Sequence, residues 1–249
     1  MSINFIFNYS PNFDSEKRTS KEVKFIIFHY TGMKNEKQAL RRLTDVNSKV
    51  SSHYLIKSNG NIVVLVPDLY NAWHAGISSW KKDTFLNKNS IGIEICNPGH
   101  GLNYKKFSKK QINSLIKLSK LLIRKYKIKK QNVLGHSDIA PERKKDPGEK
   151  FPWNYLAQKN IGIWHNLKLK RLIKKRNLKT TINEKKIFFL NLCKIGYSNK
   201  LLKNLNLNKF QYSKKITIAF QRRFRQDVIN GVVDQECLII SENLIKKFN

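Results

Sequence analysis

The chain has few cysteines, few acidic residues and no long apolar run. Its three cysteines, Cys96, Cys193 and Cys237, are odd in number and far apart. A disulfide framework is therefore not expected, and free thiols in a reducing compartment are the simplest interpretation. No stretch of about 18 apolar residues occurs, which argues against a transmembrane helix. The first residues lack the basic and apolar segments of a secretory signal, so the sequence as it stands predicts a cytoplasmic protein.

Negative charge is scarce. The 249 residues include 49 Lys and Arg but only 17 Asp and Glu, which gives a formal net charge of +32. Such a surface attracts polyanions. The basic residues are nevertheless spread along the predicted helices, and the abundance of Lys, Asn and Ile is what an AT-rich genome would give. Specific nucleic-acid binding is therefore not expected.

The chain has enough apolar residues for a sizeable core, since 40% of it is hydrophobic. Runs typical of β-strands lie at 23–28, 52–57, 61–66, 90–95 and 132–135. Asn59-Gly60 separates two of these runs and predicts a hairpin. An amphipathic helix is predicted after Ser108, a suitable N-cap, and a shorter helix over 36–46. This mixture predicts an α/β (α+β) fold with a mixed central sheet flanked by helices.

The pattern changes after Trp164. Residues 165–180 read as a basic, helical linker. Residues 181–249 contain no convincing strand and predict three helices near 184–194, 214–225 and 234–247. We therefore expect a first domain over 1–164 and a small helical domain over 181–249.

Three residues are candidate metal ligands. His29 and His136 each follow a predicted strand, and Asp146 lies in a loop restrained by proline and glycine. Two imidazoles and one carboxylate make the three-ligand set of a hydrolytic Zn²⁺ site with one open position. Histidines at strand ends are also common as core or surface residues, so the residues alone leave both interpretations open.

Five segments in order resemble the zinc-dependent N-acetylmuramoyl-L-alanine amidase family, the type-2 amidases related to peptidoglycan-recognition proteins. The segments are Phe28-His29-Tyr30-Thr31, Ser51-Ser52-His53-Tyr54-Leu55-Ile56, Ala72-Trp73-His74-Ala75-Gly76, Ser90-Ile91-Gly92-Ile93-Glu94-Ile95 and the run from Gly135 to Gly148. The resemblance implies a mixed sheet with a groove over a zinc ion. It also implies cleavage of the amide between N-acetylmuramic acid and L-alanine of the stem peptide.

The resemblance also implies roles for individual residues. His29, His136 and Asp146 match the zinc ligands. Glu94 matches the glutamate that acts as general base, and Lys144 matches the basic residue that stabilises the oxyanion. From the residues alone, Glu94 could equally be a surface charge on an alternating strand. The substrate-binding residues expected in the groove are Trp73, His74 and Ala75.

The helical tail carries a weaker resemblance. Residues 219–224 and 229–234 resemble the small peptidoglycan-binding domain that often follows such amidases, and the combination most resembles the AmiD and AmpD branches of the family. The expected partner is peptidoglycan or a muropeptide, including the 1,6-anhydro form, and the chain is expected to be a monomer. If the true start lay upstream, the periplasm or outer membrane would be the alternative location. A non-catalytic peptidoglycan-binding protein on the same fold is the alternative function.

Overall fold

The computed structural model describes residues 3–197 and 209–247. Within these ranges the chain forms ten β-strands and eight α-helices. The strands are β1 (Phe5–Phe7), β2 (Phe13–Asp14), β3 (Phe25–Tyr30), β4 (Tyr54–Ile56), β5 (Ile62–Val64), β6 (Asn71–Ala72), β7 (Ser79–Trp80), β8 (Asp83–Thr84), β9 (Ser90–Ile95) and β10 (Val133–Gly135). The helices are α1 (Glu36–Thr44), α2 (Lys109–Tyr126), α3 (His136–Ile139), α4 (Trp153–Gln158), α5 (Leu169–Lys175), α6 (Ile182–Ile195), α7 (Lys209–Phe224) and α8 (Gln235–Ile245).

Six strands form one mixed sheet in the order β1-β5-β4-β9-β3-β10. Only the β4–β5 pair is antiparallel, and Gly60 in its connection has a φ of 91°. The mixed sheet and the hairpin predicted from the sequence are therefore confirmed. The strands β3, β9 and β10 run parallel, so their carboxyl ends lie together at one edge of the sheet.

Helix α2 covers one face of this sheet. Ser108 caps it, because its hydroxyl accepts a hydrogen bond from the Gln111 backbone N–H at 3.2 Å. The apolar stripe of α2 packs against alternate residues of β3 and β9, which point to this side because strand side chains alternate between faces. The core on this side includes Ile26, Phe28, Ile91, Ile93, Leu115, Leu118 and Leu122.

The C-terminal helices cover the other face. Phe25 and Ile27 of β3 lie in one apolar cluster with buried residues of α6, α7 and α8, including Phe188, Phe220 and Ile240. Gly196 ends α6 against the indole of Trp80, since a Cβ at that glycine would lie 2.3 Å from the ring. The helical segment thus shares a continuous core with the sheet. The three helices predicted for this region are confirmed, whereas the division at 164 and 181 stays a prediction.

All three cysteines are free thiols, as expected; Cys96 and Cys237 are buried and Cys193 is exposed. Among the described residues, none of the helices combines the length and apolar character needed to cross a membrane.

Candidate metal centre and active site

The fold brings the three predicted ligands together. In the parallel pair β3–β10, Phe28 lies opposite Gly135, so the residues that follow them, His29 and His136, emerge side by side. Asp146 reaches the same point from the loop after α3, where its carbonyl oxygen accepts a hydrogen bond from the Ser137 N–H at 2.9 Å. All three side chains are buried.

Three ligand atoms form a nearly equilateral triangle. His29 Nδ1 lies 3.0 Å from His136 Nδ1 and 3.0 Å from Asp146 Oδ2, and the remaining side measures 3.1 Å. Hydrogen bonds cannot form along all three sides of this triangle at once. If each imidazole donates to the carboxylate, the two nitrogens face each other without a hydrogen bond. Tetrahedral zinc with bonds of about 2.0–2.1 Å spaces its ligand atoms by roughly 3.3 Å. The donor set and its spacing therefore fit a metal ion.

Burial and neighbouring charges shift the pKa values of the candidate ligands. Burial alone would raise the pKa of Asp146, but the charge and hydrogen bonds of His136 and His29 outweigh it and hold that pKa far below its usual value. Burial, followed by the charge of His136, lowers the pKa of His29. The two shifts favour the ionised carboxylate and the neutral imidazole of His29, which are the forms that bind metal.

A second layer of groups orients the imidazoles. His29 Nε2 lies 3.0 Å from His74 Nδ1, and His74 Nε2 lies 3.2 Å from the hydroxyl of Ser90. If Nδ1 of His29 held a metal ion, its Nε2–H would donate to His74 Nδ1, and His74 Nε2–H would donate in turn to the Ser90 hydroxyl. On the other ligand, His136 Nε2 donates to the carbonyl oxygen of Ala75 at 3.2 Å. Such contacts fix the tautomer and ring orientation of metal-binding histidines.

Glu94 lies beside the triangle. Its position in β9 is paired with His29 in β3, and both side chains lie on the sheet face opposite α2. Its Oε2 is buried and has no hydrogen-bond partner among the described residues. Burial raises the pKa of Glu94 to about 7; the charge of Asp146 adds to this shift, and His29 and Lys144 oppose it. A carboxyl group with these properties suits proton transfer near neutral pH.

The triangle lies in a groove of about 370 Å³. Lys144 and Trp73 line this groove, together with three further basic residues, Arg42, Arg143 and Lys145. The groove is thus basic around a buried acidic centre.

The other two predicted substrate contacts lie at and behind the wall of the groove. His74 lines the groove, as the sequence predicted, but is only 9% exposed, and its ring lies behind His29. Ala75 is completely buried and is not among the residues that line the groove, so its contact with substrate stays a prediction. Its carbonyl oxygen instead accepts hydrogen bonds from His136 and from Arg143 Nη2, the latter at 2.6 Å.

Two supporting residues, Ser90 and Arg143, were not predicted from the sequence. Arg143 also donates from Nε to the carbonyl oxygen of Ile77 at 3.1 Å, so it anchors the loop that carries the Ala75 acceptor. Gly92 was the available signal for the groups behind the ligands, because a glycine inside a strand often marks a place where another group lies close to the backbone. A Cβ at Gly92 would lie 2.5 Å from the His74 ring.

The comparisons with known proteins agree with this geometry. The family model described as N-acetylmuramoyl-L-alanine amidase matches residues 19–149. The N-acetylmuramoyl-L-alanine amidase AmiD of Escherichia coli is 38% identical over 239 residues, which cover 91% of this chain and 83% of AmiD. The chain belongs to the N-acetylmuramoyl-L-alanine amidase family. The 1,6-anhydro-N-acetylmuramyl-L-alanine amidase AmpD of Haemophilus influenzae is 32% identical over 167 residues, 59% of this chain and 88% of AmpD.

Two solved structures to which this chain is similar contain muropeptides. E. coli AmiD, in complex with the substrate anhydro-N-acetylmuramic acid-L-Ala-D-gamma-Glu-L-Lys, has a TM-score of 0.79 and covers 91% of this chain and 90% of its own at 36% identity. AmpDh3 of Pseudomonas aeruginosa, in complex with an anhydromuramic pentapeptide, has a TM-score of 0.77 and covers 94% of this chain and 97% of its own at 30% identity. Both matches extend over the C-terminal helices as well as the sheet.

Proposed function

We propose that this amidase is a zinc enzyme that hydrolyses the amide bond between N-acetylmuramic acid, or its 1,6-anhydro form, and L-alanine in muropeptides or peptidoglycan. The observation that carries the proposal is the triangle of His29, His136 and Asp146 beside Glu94 in an open groove. A zinc ion held by these three residues would supply Lewis-acid polarisation of the scissile carbonyl and acidify water.

The chain's own residues perform the proton transfers. Glu94 accepts a proton from the attacking water and returns it to the nitrogen of L-alanine as the amide bond breaks. Its unpartnered buried oxygen supports this role, because no other group of the described chain competes for it. The ammonium of Lys144 stabilises the negative charge that develops on the carbonyl oxygen.

The groove favours an anionic substrate. Arg42, Arg143, Lys144 and Lys145 surround the approach to the site. Stem peptides carry free carboxylates, which these side chains would attract. The muropeptides bound to AmiD and AmpDh3 support the 1,6-anhydro form as the first substrate to test, with intact sacculi as the second.

A digest followed by mass spectrometry tests the proposal. Purified protein is given anhydro-muropeptides and intact sacculi, with and without a chelator. We expect free stem peptide, lost on chelation and restored by zinc, and a loss of at least about 10²-fold in Glu94→Gln. Glu16→Gln, an exposed substitution outside the groove, is the matched control. Zinc binding without any release of stem peptide would contradict the hydrolytic role and favour a peptidoglycan-binding protein.

The remaining expectations from the sequence stay proposals. We propose an amidase unit over 1–164, a linker over 165–180, a helical peptidoglycan-binding-like segment over 181–249 and a monomeric state. Light scattering of the purified chain tests the monomer, and fractionation of cells tests the cytoplasmic location.

A further inference from the structure

A buried carboxylate lies close to the metal centre but outside it. Asp138, in helix α3, is 1% exposed and belongs to the same short helix as the ligand His136. Its Oδ2 accepts a hydrogen bond from the Gly135 N–H at 2.7 Å, which closes the turn between β10 and α3. A buried charge with this single partner would be strongly destabilising.

The C-terminal helical segment supplies the missing partners. Arg223 of α7 forms a buried ion pair with Asp138 Oδ2, and the Tyr197 hydroxyl after α6 donates to Oδ1 at 2.8 Å. These residues lie 85 and 59 positions from Asp138 in the chain. The carboxylate is therefore satisfied only when α6 and α7 are docked on the sheet.

Arg223 also contacts the other supports of the site. Its Nη2 donates to the carbonyl oxygen of Val133 in β10 at 3.0 Å. Its guanidinium stacks on the Trp153 ring, 4.4 Å from the centroid. Trp153 and Pro147, which follows Asp146, both lie against Gly135, where a Cβ would be 3.2 Å and 2.6 Å from them.

We propose that Arg223 and Tyr197 are positioning residues of the metal centre: through Asp138, the C-terminal helical segment holds the turn that presents His136. They do not touch the metal ligands or the substrate. The inference rests on the proposed metal site and gives the helical segment a role in the amidase site that is separate from any binding of glycan.

The chain contains a matched control. Arg225, the first residue after the same helix, forms a buried ion pair with Asp234, and both residues belong to the helical segment. Arg225→Gln therefore removes the same kind of interaction without touching the turn at Gly135. Tyr126→Phe is the control for Tyr197→Phe, because the Tyr126 hydroxyl donates to Asp68 at 2.6 Å, away from the metal site.

The experiment uses the full chain and two readouts besides activity. Zinc affinity is measured by competition with a chromogenic chelator, and the visible spectrum of the cobalt-substituted protein reports ligand geometry. Circular dichroism and thermal unfolding report folding. We expect Arg223→Gln to weaken zinc binding by about 10–100-fold and to alter the cobalt spectrum, as loss of an outer-shell partner does. Tyr197→Phe should give a smaller loss in the same direction, while both controls bind zinc like the wild type.

A second substitution sharpens the test. Asp138→Asn combined with Arg223→Gln removes the charge that Arg223→Gln leaves unpaired, so the double variant should bind zinc more tightly than Arg223→Gln alone. If Arg223→Gln does not fold, Tyr197→Phe against Tyr126→Phe decides the question. Folded Arg223→Gln and Tyr197→Phe proteins with wild-type zinc affinity and cobalt spectra would overturn the inference. Failure of the wild type to cleave muropeptides would overturn only the proposed reaction, because the zinc measurements do not depend on it.

Discussion

Gly92 lies directly under the ring of His74, and one added methyl group there tests the second layer of the site. A Cβ at this position would be 2.5–2.7 Å from three ring atoms, whereas ordinary contacts begin near 3.4 Å. The backbone itself accepts alanine, since the φ of Gly92 is not in the left-handed region. The ring must therefore move by about 1 Å, and that movement separates His74 from His29 and Ser90.

The size of the effect follows from these contacts. Overpacking a core site costs about 1–3 kcal/mol, which lowers the Tm of a chain of this size by roughly 2–12 °C. Loss of the His29–His74 hydrogen bond should weaken zinc binding by about 10–100-fold. Thermal unfolding of the apo and zinc-loaded Gly92→Ala protein, with chelator competition, measures both effects.

Two comparisons make the result specific. Gly101→Ala is the control, because nothing lies within 4 Å of its added Cβ, and it should behave like the wild type. Gly92→Ala combined with His74→Ala should be no worse than His74→Ala alone, since the ring that the methyl group strikes is then absent. Wild-type stability and zinc affinity in Gly92→Ala would refute the placement of His74. If the losses of stability and zinc affinity of the two single variants add up in the double variant, a clash with the His74 ring is not their cause.

Three further perturbations test other parts of the molecule. Phe188→Ala removes a fully buried ring from the core shared by sheet and helices, where its centroid lies 5.1 Å from that of Phe220. The substitution should lower the free energy of unfolding, measured with denaturant, by about 3–5 kcal/mol. A decrease below about 1 kcal/mol would argue against the shared core. Ser108→Ala removes the hydroxyl that caps α2 by accepting from Gln111 and should cost about 1 kcal/mol, whereas an unchanged midpoint would show that the cap contributes nothing. Burial lowers the pKa of His165 to about 4, below its usual 6.5, so its contribution to stability is complete above pH 6.5 and is lost as the pH falls toward 4. Between pH 7 and pH 5 the free energy of unfolding, measured with denaturant, should therefore fall by roughly 2 kcal/mol more in the wild type than in His165→Gln. Equal decreases in the two proteins would contradict the burial of His165.

Local signals were sufficient to predict the main elements, whereas the candidate metal ligands depended on the family resemblance. The run at 90–95 coincides with β9, and the amphipathic pattern after Ser108 coincides with α2. Each signal depends on residues within one or two turns of helix or one strand. The order of the five family segments pointed to His29, His136 and Asp146 as candidate ligands. The parallel register of β3 and β10 brings the two histidines together, and the loop after α3 adds Asp146.

Long-range partners could not be predicted in this way. The two-residue strands β2, β6, β7 and β8 have no periodicity to detect, and pairing with distant segments alone defines them. The inward contacts of His74 and Ala75 could not be predicted for the same reason. His74 follows Trp73 and also lines the groove, but its ring contacts His29, and the carbonyl oxygen of Ala75 faces His136. Nothing in a local window links Arg223 with Asp138, because their contact exists only after α7 docks on the sheet.

Four of the 17 acidic residues of the chain are buried in the described part of the structure. Asp138, Asp146, Asp234 and Glu236 are at most 7% exposed, and each is paired with an arginine or a histidine in the interior. A buried acidic group paired with a buried cation adds little to the field outside the protein, so the lysines and arginines of the exposed helices dominate that field. These four carboxylates thus hold the helical segment, the turn before His136 and the candidate metal site. The basic residues that line the groove give it the sign of charge that attracts an anionic peptide.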